Sequence, residues 1–225
     1  MDNVHKIIKK DIMNVIPVIN CTDAACVEKT LELARSFLHA GDWVHLDVTD
    51  GIFSTHKTWN DPVAWSEMDD QFNLEVHLMV IHPEDYIVPW LDAGAKRIII
   101  HVETITPESV RDILKICSGK GTEMMLASNP DSFFEKDIKQ YADLFSEFLV
   151  LAVQPGPAGQ PFDRSVLEKI KALKQENAIM IEVDGGMNPE TVKLVKDAGA
   201  DAISAGTYIF NSSDPKKAYE ELKSI

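Results

Sequence analysis

Short apolar runs alternate with amphipathic stretches along the whole chain. The runs at 14–19 (Asn-Val-Ile-Pro-Val-Ile), 43–48, 74–80, 97–102 (Arg-Ile-Ile-Ile-His-Val), 122–127, 147–153, 178–183 and 201–205 each read as a strand. They are too apolar to face water, which predicts parallel strands covered by helices. Helical patterns lie between them. From Thr22 to Leu38, for instance, apolar positions recur at helical spacing behind a capping residue. Pro83, Pro107, Pro130 and Pro189 fall where a first helical turn would begin, a position where proline forfeits no hydrogen bond. Asp92-Ala-Gly-Ala95 and Asp197-Ala-Gly-Ala200 each put a glycine where a helix ends in the left-handed conformation, just ahead of a strand.

Eight such units is the number that closes a (β/α)8 barrel, while an open doubly wound sheet shares the same local pattern. At 225 residues, with no Pro/Gly/Ser-rich linker, the chain is expected to form a single domain over residues 1–225. Residues 1–10 lack the continuous apolar core of a signal peptide, and no later run approaches the roughly 18 apolar residues of a membrane span. No membrane partner and a cytoplasmic location are therefore expected. The formal net charge of −14 argues against nucleic acid, whose binding draws on clustered Lys and Arg. It also removes long-range steering of an anion, so short-range groups such as backbone N–H must hold any phosphate. Cys21, Cys26 and Cys117 are odd in number and show no Cys-x-x-Cys spacing, which predicts buried thiols in a reducing compartment and no disulfide. A homo-oligomer is compatible with these features, and none of them specifies one.

The candidate chemistry lies on three of the predicted strands. Trp43-Val-His-Leu-Asp-Val48 sets His45 and Asp47 two apart, hence on one face of a strand. Val76-His-Leu-Met79 carries His77, and Glu182-Val-Asp-Gly-Gly186 carries Asp184. Singly, each histidine reads as a hydrogen-bonded core residue. Together, two imidazoles and two carboxylates inside a barrel need a partner, because burying that much charge alone is unfavourable by several kcal/mol. Such a set binds one divalent metal, and mixed N/O ligation suits zinc, iron(II), manganese or cobalt more than magnesium or calcium. Carboxylates held beside that metal are placed to move protons. Asp50, just before Gly51, reads as a turn residue, with a supporting bond to the site as the alternative. His101 and Glu103 share a face at the end of the fourth strand, where a structural pair and a supporting role behind the site fit equally. Gln154-Pro-Gly-Pro-Ala-Gly-Gln160, Gly185-Gly186 and Ala205-Gly-Thr207 are glycine-bearing turns able to hold an anion, and the first also suits a lid.

Several ordered segments resemble the ribulose-phosphate 3-epimerase family: His45-Leu-Asp-Val-Thr-Asp-Gly51, Val76-His-Leu-Met-Val80, His101-Val-Glu103, Val153-Gln-Pro-Gly-Pro-Ala-Gly-Gln160, Val183-Asp-Gly-Gly186 and Ala205-Gly-Thr-Tyr-Ile-Phe210. The likeness runs from about Ile16 to Phe210. It implies a (β/α)8 TIM barrel of the ribulose-phosphate binding type. It further implies a 3-epimerase interconverting D-ribulose 5-phosphate and D-xylulose 5-phosphate in the pentose phosphate pathway. By resemblance, His45, Asp47, His77 and Asp184 ligate the metal, and Asp47 and Asp184 are the catalytic acid/base pair. Met79, Gly156, Ala158, Gly159, Gly185, Gly186, Gly206 and Thr207 would line the bound ketose phosphate. The chain departs from the family at Pro17-Val-Ile-Asn20, where Val18 replaces a hydroxyl and Asn20 brings an amide, and at Thr49, Leu151 and Ala158. These changes leave a hexulose 6-phosphate such as D-allulose 6-phosphate as an alternative substrate, and a non-catalytic metal- or phosphometabolite-binding barrel as an alternative class. Related decarboxylases and hexulose-phosphate synthases carry Asp-x-Lys-x-x-Asp on the equivalent strand. His45-Leu-Asp-Val-Thr-Asp50 has no lysine, which weighs against their chemistry.

Overall fold

The computed structural model describes residues 12–68, 71–176 and 178–225. Eight parallel strands close into a barrel in chain order: β1 (Asn14–Ile19), β2 (Trp43–Thr49), β3 (Asn73–Met79), β4 (Arg97–His101), β5 (Glu123–Ser128), β6 (Glu147–Leu151), β7 (Met180–Asp184) and β8 (Ala202–Ala205). Closure is made by β8 pairing with β1, Val15 opposite Ile203 and Ile16 opposite Ser204. The open-sheet alternative is thereby removed. The helices are α1 (Ala24–Arg35), α2 (Pro62–Glu67), α3 (Glu84–Asp92), α4 (Pro107–Lys120), α5 (Val166–Gln175), α6 (Pro189–Ala198), α7 (Thr207–Phe210) and α8 (Pro215–Lys223). No helix among the described residues is long and apolar enough to cross a membrane. The leader reading of residues 1–10 lies outside the described residues.

Alternation along each strand sorts side chains into two cores. Val44, Leu46 and Val48 of β2 join the apolar layer beneath the helices, while His45 and Asp47 point into the barrel. The interior is divided. Met79, Ile99, Met125, Ala127, Leu149 and Leu151, from β3 to β6, form a separate apolar cluster. Opposite them stand buried polar groups of β2, β3, β7 and β8: His45, Asp47, Glu75, His77, Glu182, Asp184 and Ser204.

Helix boundaries follow local chemistry. Pro107 and Pro189 open α4 and α6 behind capping boxes at Thr106 and Asn188, while Pro83 caps α3 from one residue earlier. Gly94 and Gly199 adopt the left-handed conformation beyond α3 and α6, φ 93° and 111°. Pro130 is the exception, because no α-helix follows β5. Asn129 and Ser132 are bonded to Glu103, so Pro130 sits in a turn, and the chain continues as a wide turn at Phe134–Ile138 and a 3-10 turn at Lys139–Tyr141.

The cysteine expectation is corrected. Cys21 and Cys26 form a disulfide, and Cys117 alone is a buried free thiol. The turn from β1 into α1 brings their Cα atoms to 5.6 Å, within bridging distance. A spacing of five carries no motif, so only the turn reveals the pair.

Candidate metal and proton-transfer site

The register of β2 against β3 sets Asp47 beside His77, and the period of two puts His45 on the same face as Asp47. Asp184 ends β7, and His77 Nδ1 lies 3.7 Å from its Oδ2. His45 Nε2 is 3.1 Å from Asp47 Oδ1 and 3.3 Å from His77 Nδ1, which in turn is 3.2 Å from Asp47 Oδ1. All four residues are buried, and one ligand atom from each falls within 4.8 Å of the others. Metal bonds of roughly 2.0–2.1 Å in a tetrahedron set ligand atoms about 3.3 Å apart, which matches the 3.1–3.3 Å among His45, Asp47 and His77, with Asp184 standing further out at 3.7 Å from His77.

The outer partners fix what the inner atoms offer. Glu103 accepts from Asn129 N and Ser132 Oγ, and its other oxygen lies 2.9 Å from His101 Nδ1. Burial raises the Glu103 carboxyl, but His101 and these donors outweigh it and hold it down at about 2. His101 therefore donates from Nδ1 and accepts at Nε2. His77 Nε2, 2.8 Å away, donates to it, which leaves His77 Nδ1 as a lone pair facing the cluster. His45 is anchored from behind by Glu75, 2.7 Å from Nδ1, with Arg97 on the other Glu75 oxygen. Ring nitrogens and carboxylate oxygens of all four residues thus converge on one point, a concentration of lone pairs and negative charge that a proton on His45 or a bound cation relieves. Such a cluster calls for positive charge, and its N/O donor set fits a divalent metal.

The titration of the four groups reflects the same demand. Burial pulls the His45 imidazole down, yet bonds to Asp47, Glu182 and Glu75 outweigh it and hold it well above its usual range. Burial also dominates at His77, bringing it to about 4. Asp47 is held well below the carboxylate range, because its bonds to both imidazoles override burial. Asp184 is pushed well above it by burial and then by the charge of Asp47. Two carboxyl groups at one site with proton affinities driven apart are suited to acid and base roles.

Above the cluster opens a cavity of about 290 Å³, at the small end for a small-molecule site. Asp47 and Asp184 reach its floor, and Met79 and Leu151 add apolar wall. The loop 154–160 brings Gly156, Ala158 and Gly159, while Gly185, Gly186, Gly206 and Thr207 come from the ends of β7 and β8. Every sequence candidate for substrate contact therefore lies on this one cavity. Val18 and Asn20 line it too. Thr49 does not, since its hydroxyl accepts from Thr58 N at 2.9 Å. Asp50 is a turn and clamp residue, accepting from Ile52, Phe53 and Ile81 backbone N–H groups without touching the cluster. His101 does both, pairing with Glu103 through Nδ1 and meeting His77 through Nε2.

Sequence reasoning missed Glu75, Glu182, Arg97 and Ser204, which form a polar floor under His45. Ser204 Oγ donates to Glu182, and Glu182 Oε1 lies 3.6 Å from His45 Nδ1. Burial and the neighbouring Glu182 lift Glu75 to about 7 against the pull of His45 and Arg97. The signal was present: Glu75 and Glu182 stand two residues before His77 and Asp184, on the same faces.

The model of the ribulose-phosphate 3 epimerase family matches residues 14–210. The chain is 32% identical over 196 residues to "Ribulose-phosphate 3-epimerase, cytoplasmic isoform" of Oryza sativa subsp. japonica, covering 85% of this chain and 86% of the relative. It is 33% identical over 215 residues to ribulose-phosphate 3-epimerase of Schizosaccharomyces pombe, covering 93% and 92%. Among solved structures, orotidine 5'-monophosphate decarboxylase from Sulfolobus solfataricus superposes with a TM-score of 0.63 at 14% identity, covering 94% of this chain and 96% of that one. A 3-hexulose-6-phosphate synthase does so with a TM-score of 0.65 at 15% identity, covering 95% and 98%. At these identities the two structures bear on the fold alone.

Proposed function

The chain belongs to the ribulose-phosphate 3-epimerase family, a family of isomerases, and from that membership and the site's geometry we propose a metal-dependent sugar-phosphate 3-epimerase that interconverts D-ribulose 5-phosphate and D-xylulose 5-phosphate. The observation that carries the reading is the convergence of His45 Nε2, His77 Nδ1 and the Asp47 and Asp184 carboxylates under a single cavity. His45, Asp47, His77 and Asp184 would hold the cation. When bound, it supplies positive charge against the negative charge that builds on the sugar's oxygens as the C3 proton leaves.

The chain's own residues do the rest in this reading. Asp47, held ionised, takes the proton from C3 and leaves an enediolate. Asp184, entering the forward reaction with a proton, returns it to the opposite face, and the roles exchange in the reverse direction. Gly185, Gly186, Gly206 and Thr207 cradle the phosphate, and the loop 154–160 closes over the sugar. In support of a lid, Gln160 Nε2 donates to the Gln154 and Pro157 carbonyls, which folds that loop on itself. Val18 and Asn20 in the cavity wall keep a hexulose 6-phosphate in play as the physiological substrate. A cytoplasmic location is carried over from the name of the rice relative.

Solvent deuterium incorporation at C3 tests the reading. The expectation is exchange into ribulose 5-phosphate that is abolished by a chelator and restored by zinc, iron(II), manganese or cobalt. Binding of ketose phosphates without any exchange would leave a non-catalytic barrel instead, and a panel of pentulose and hexulose phosphates ranks the substrates.

A further inference from the structure

Resting on the epimerase reading, we propose that Asn20 is a positioning residue for proton transfer, its side-chain amide fixing which oxygen of Asp47 meets the substrate. Asn20 follows the last residue of β1 and lines the cavity together with Val18, two positions earlier on the same side of the chain. Its Nδ2 donates to Asp47 Oδ2 at 2.8 Å. The other Asp47 oxygen, Oδ1, is the one that lies against His45 Nε2 and His77 Nδ1. The carboxylate is thus divided, with one oxygen to the ligand cluster and one to the amide.

Three further points favour a built contact. Among the described residues, no other donor reaches Asp47 Oδ2. The second neighbour of Asn20 Nδ2 is also an acceptor, the Gly156 carbonyl in the loop 154–160 at 3.5 Å, so the nitrogen is the correct end of the amide. A carboxylate is also free to rotate broadly about its last torsion unless both oxygens are held. Holding Oδ2 presets the reacting oxygen, and the amide keeps it solvated once the loop excludes water, both of which favour turnover. The contact with Gly156 places the same amide between the proton carrier and the loop.

The test compares Asn20→Ser, Asn20→Leu and Asn20→Asp in the metal-loaded protein, with kcat and KM for ribulose 5-phosphate read separately and bound metal measured by elemental analysis. Leucine keeps a similar volume without a donor, serine preserves a donor, and aspartate preserves shape but opposes Asp47 with a second carboxylate. The expected order of kcat is wild type, serine, leucine, aspartate. The leucine variant should lose roughly 10- to 100-fold in kcat, as for one hydrogen bond to a charged group, with a smaller change in KM and undiminished metal. Leucine matching or exceeding serine would reduce Asn20 to packing and overturn the proposal, and so would loss of metal in the leucine variant. A second measurement needs no turnover: in 15N-labelled protein, the Asn20 side-chain amide should carry one proton shifted downfield, and Asp47→Ala should abolish that shift. An amide insensitive to Asp47→Ala overturns the contact. Absent exchange in the wild type, by contrast, defeats the epimerase reading, whatever the amide shows.

Discussion

At the scale of single residues, the proposed reaction rests on two carboxyl groups, Asp47 and Asp184, whose surroundings push their proton affinities in opposite directions. Asp47→Asn and Asp184→Asn should each lower turnover by about 100- to 10,000-fold with the fold retained, since under that proposal each removes a proton carrier, and steady-state rates with circular dichroism check both halves. Wild-type rates in either variant would remove that residue from the reaction. Glu103 gives a prediction about acid stability. Its carboxyl is more acidic folded than unfolded, so its contribution is fully present above the unfolded value of 4.5 and drains away as pH falls towards about 2. Glu103→Gln should therefore be less stable than wild type at neutral pH and show a flatter stability profile between those limits, as urea titrations at stepped pH would reveal. Four ligand candidates were legible because each interrupts an otherwise apolar strand, His45, Asp47 and His77 within it and Asp184 at its last residue. Glu75 and Glu182 were equally legible by the rule of alternation, whereas Arg97 and Ser204 become partners only through neighbouring strands.

At the scale of elements, the loops at the strand ends carry the constraint. Gly186 sits at φ 70°, and an added Cβ would come within 2.8 Å of the Phe162 backbone. Gly186→Ala should destabilise the protein by about 1–3 kcal/mol through backbone strain and raise KM for the ketose phosphate at least several-fold, to be read by thermal melts and kinetics. The Cys21–Cys26 bridge closes a short loop between β1 and α1. Its reduction should lower stability by about 2 kcal/mol in the chain-entropy account, and alkylation of the denatured, unreduced protein should label Cys117 alone. The eight strands were legible within about two residues because their apolar runs are bounded by turn residues. The stretch after β5 was not, because Pro130 looks the same whether it opens a helix or a turn, and bonds from Asn129 and Ser132 to Glu103 decide between them.

For the whole molecule, closure of the barrel joins distant segments into one functional end. Asp47 and Asp184 are far apart in the chain yet share His77 as a neighbour. A cation bound to the folded state should stabilise it by about 4 kcal/mol at a thousand times its dissociation constant, so chelation should lower the melting temperature. His45→Ala and His77→Ala should abolish that difference and reduce the metal found by elemental analysis. An unchanged metal content in both would remove the histidines from the ligand set. By itself, the sequence determined the repeating strand and helix units, the face each strand presents, and the four polar residues that interrupt three of the strands, because periodicity and residue chemistry are local. Only the tertiary structure decided that the sheet closes, that Cys21 meets Cys26, that Glu75 stands behind His45, and that Asn20 reaches Asp47. Those contacts depend on the register between strands and the path of the turns, which no single segment specifies.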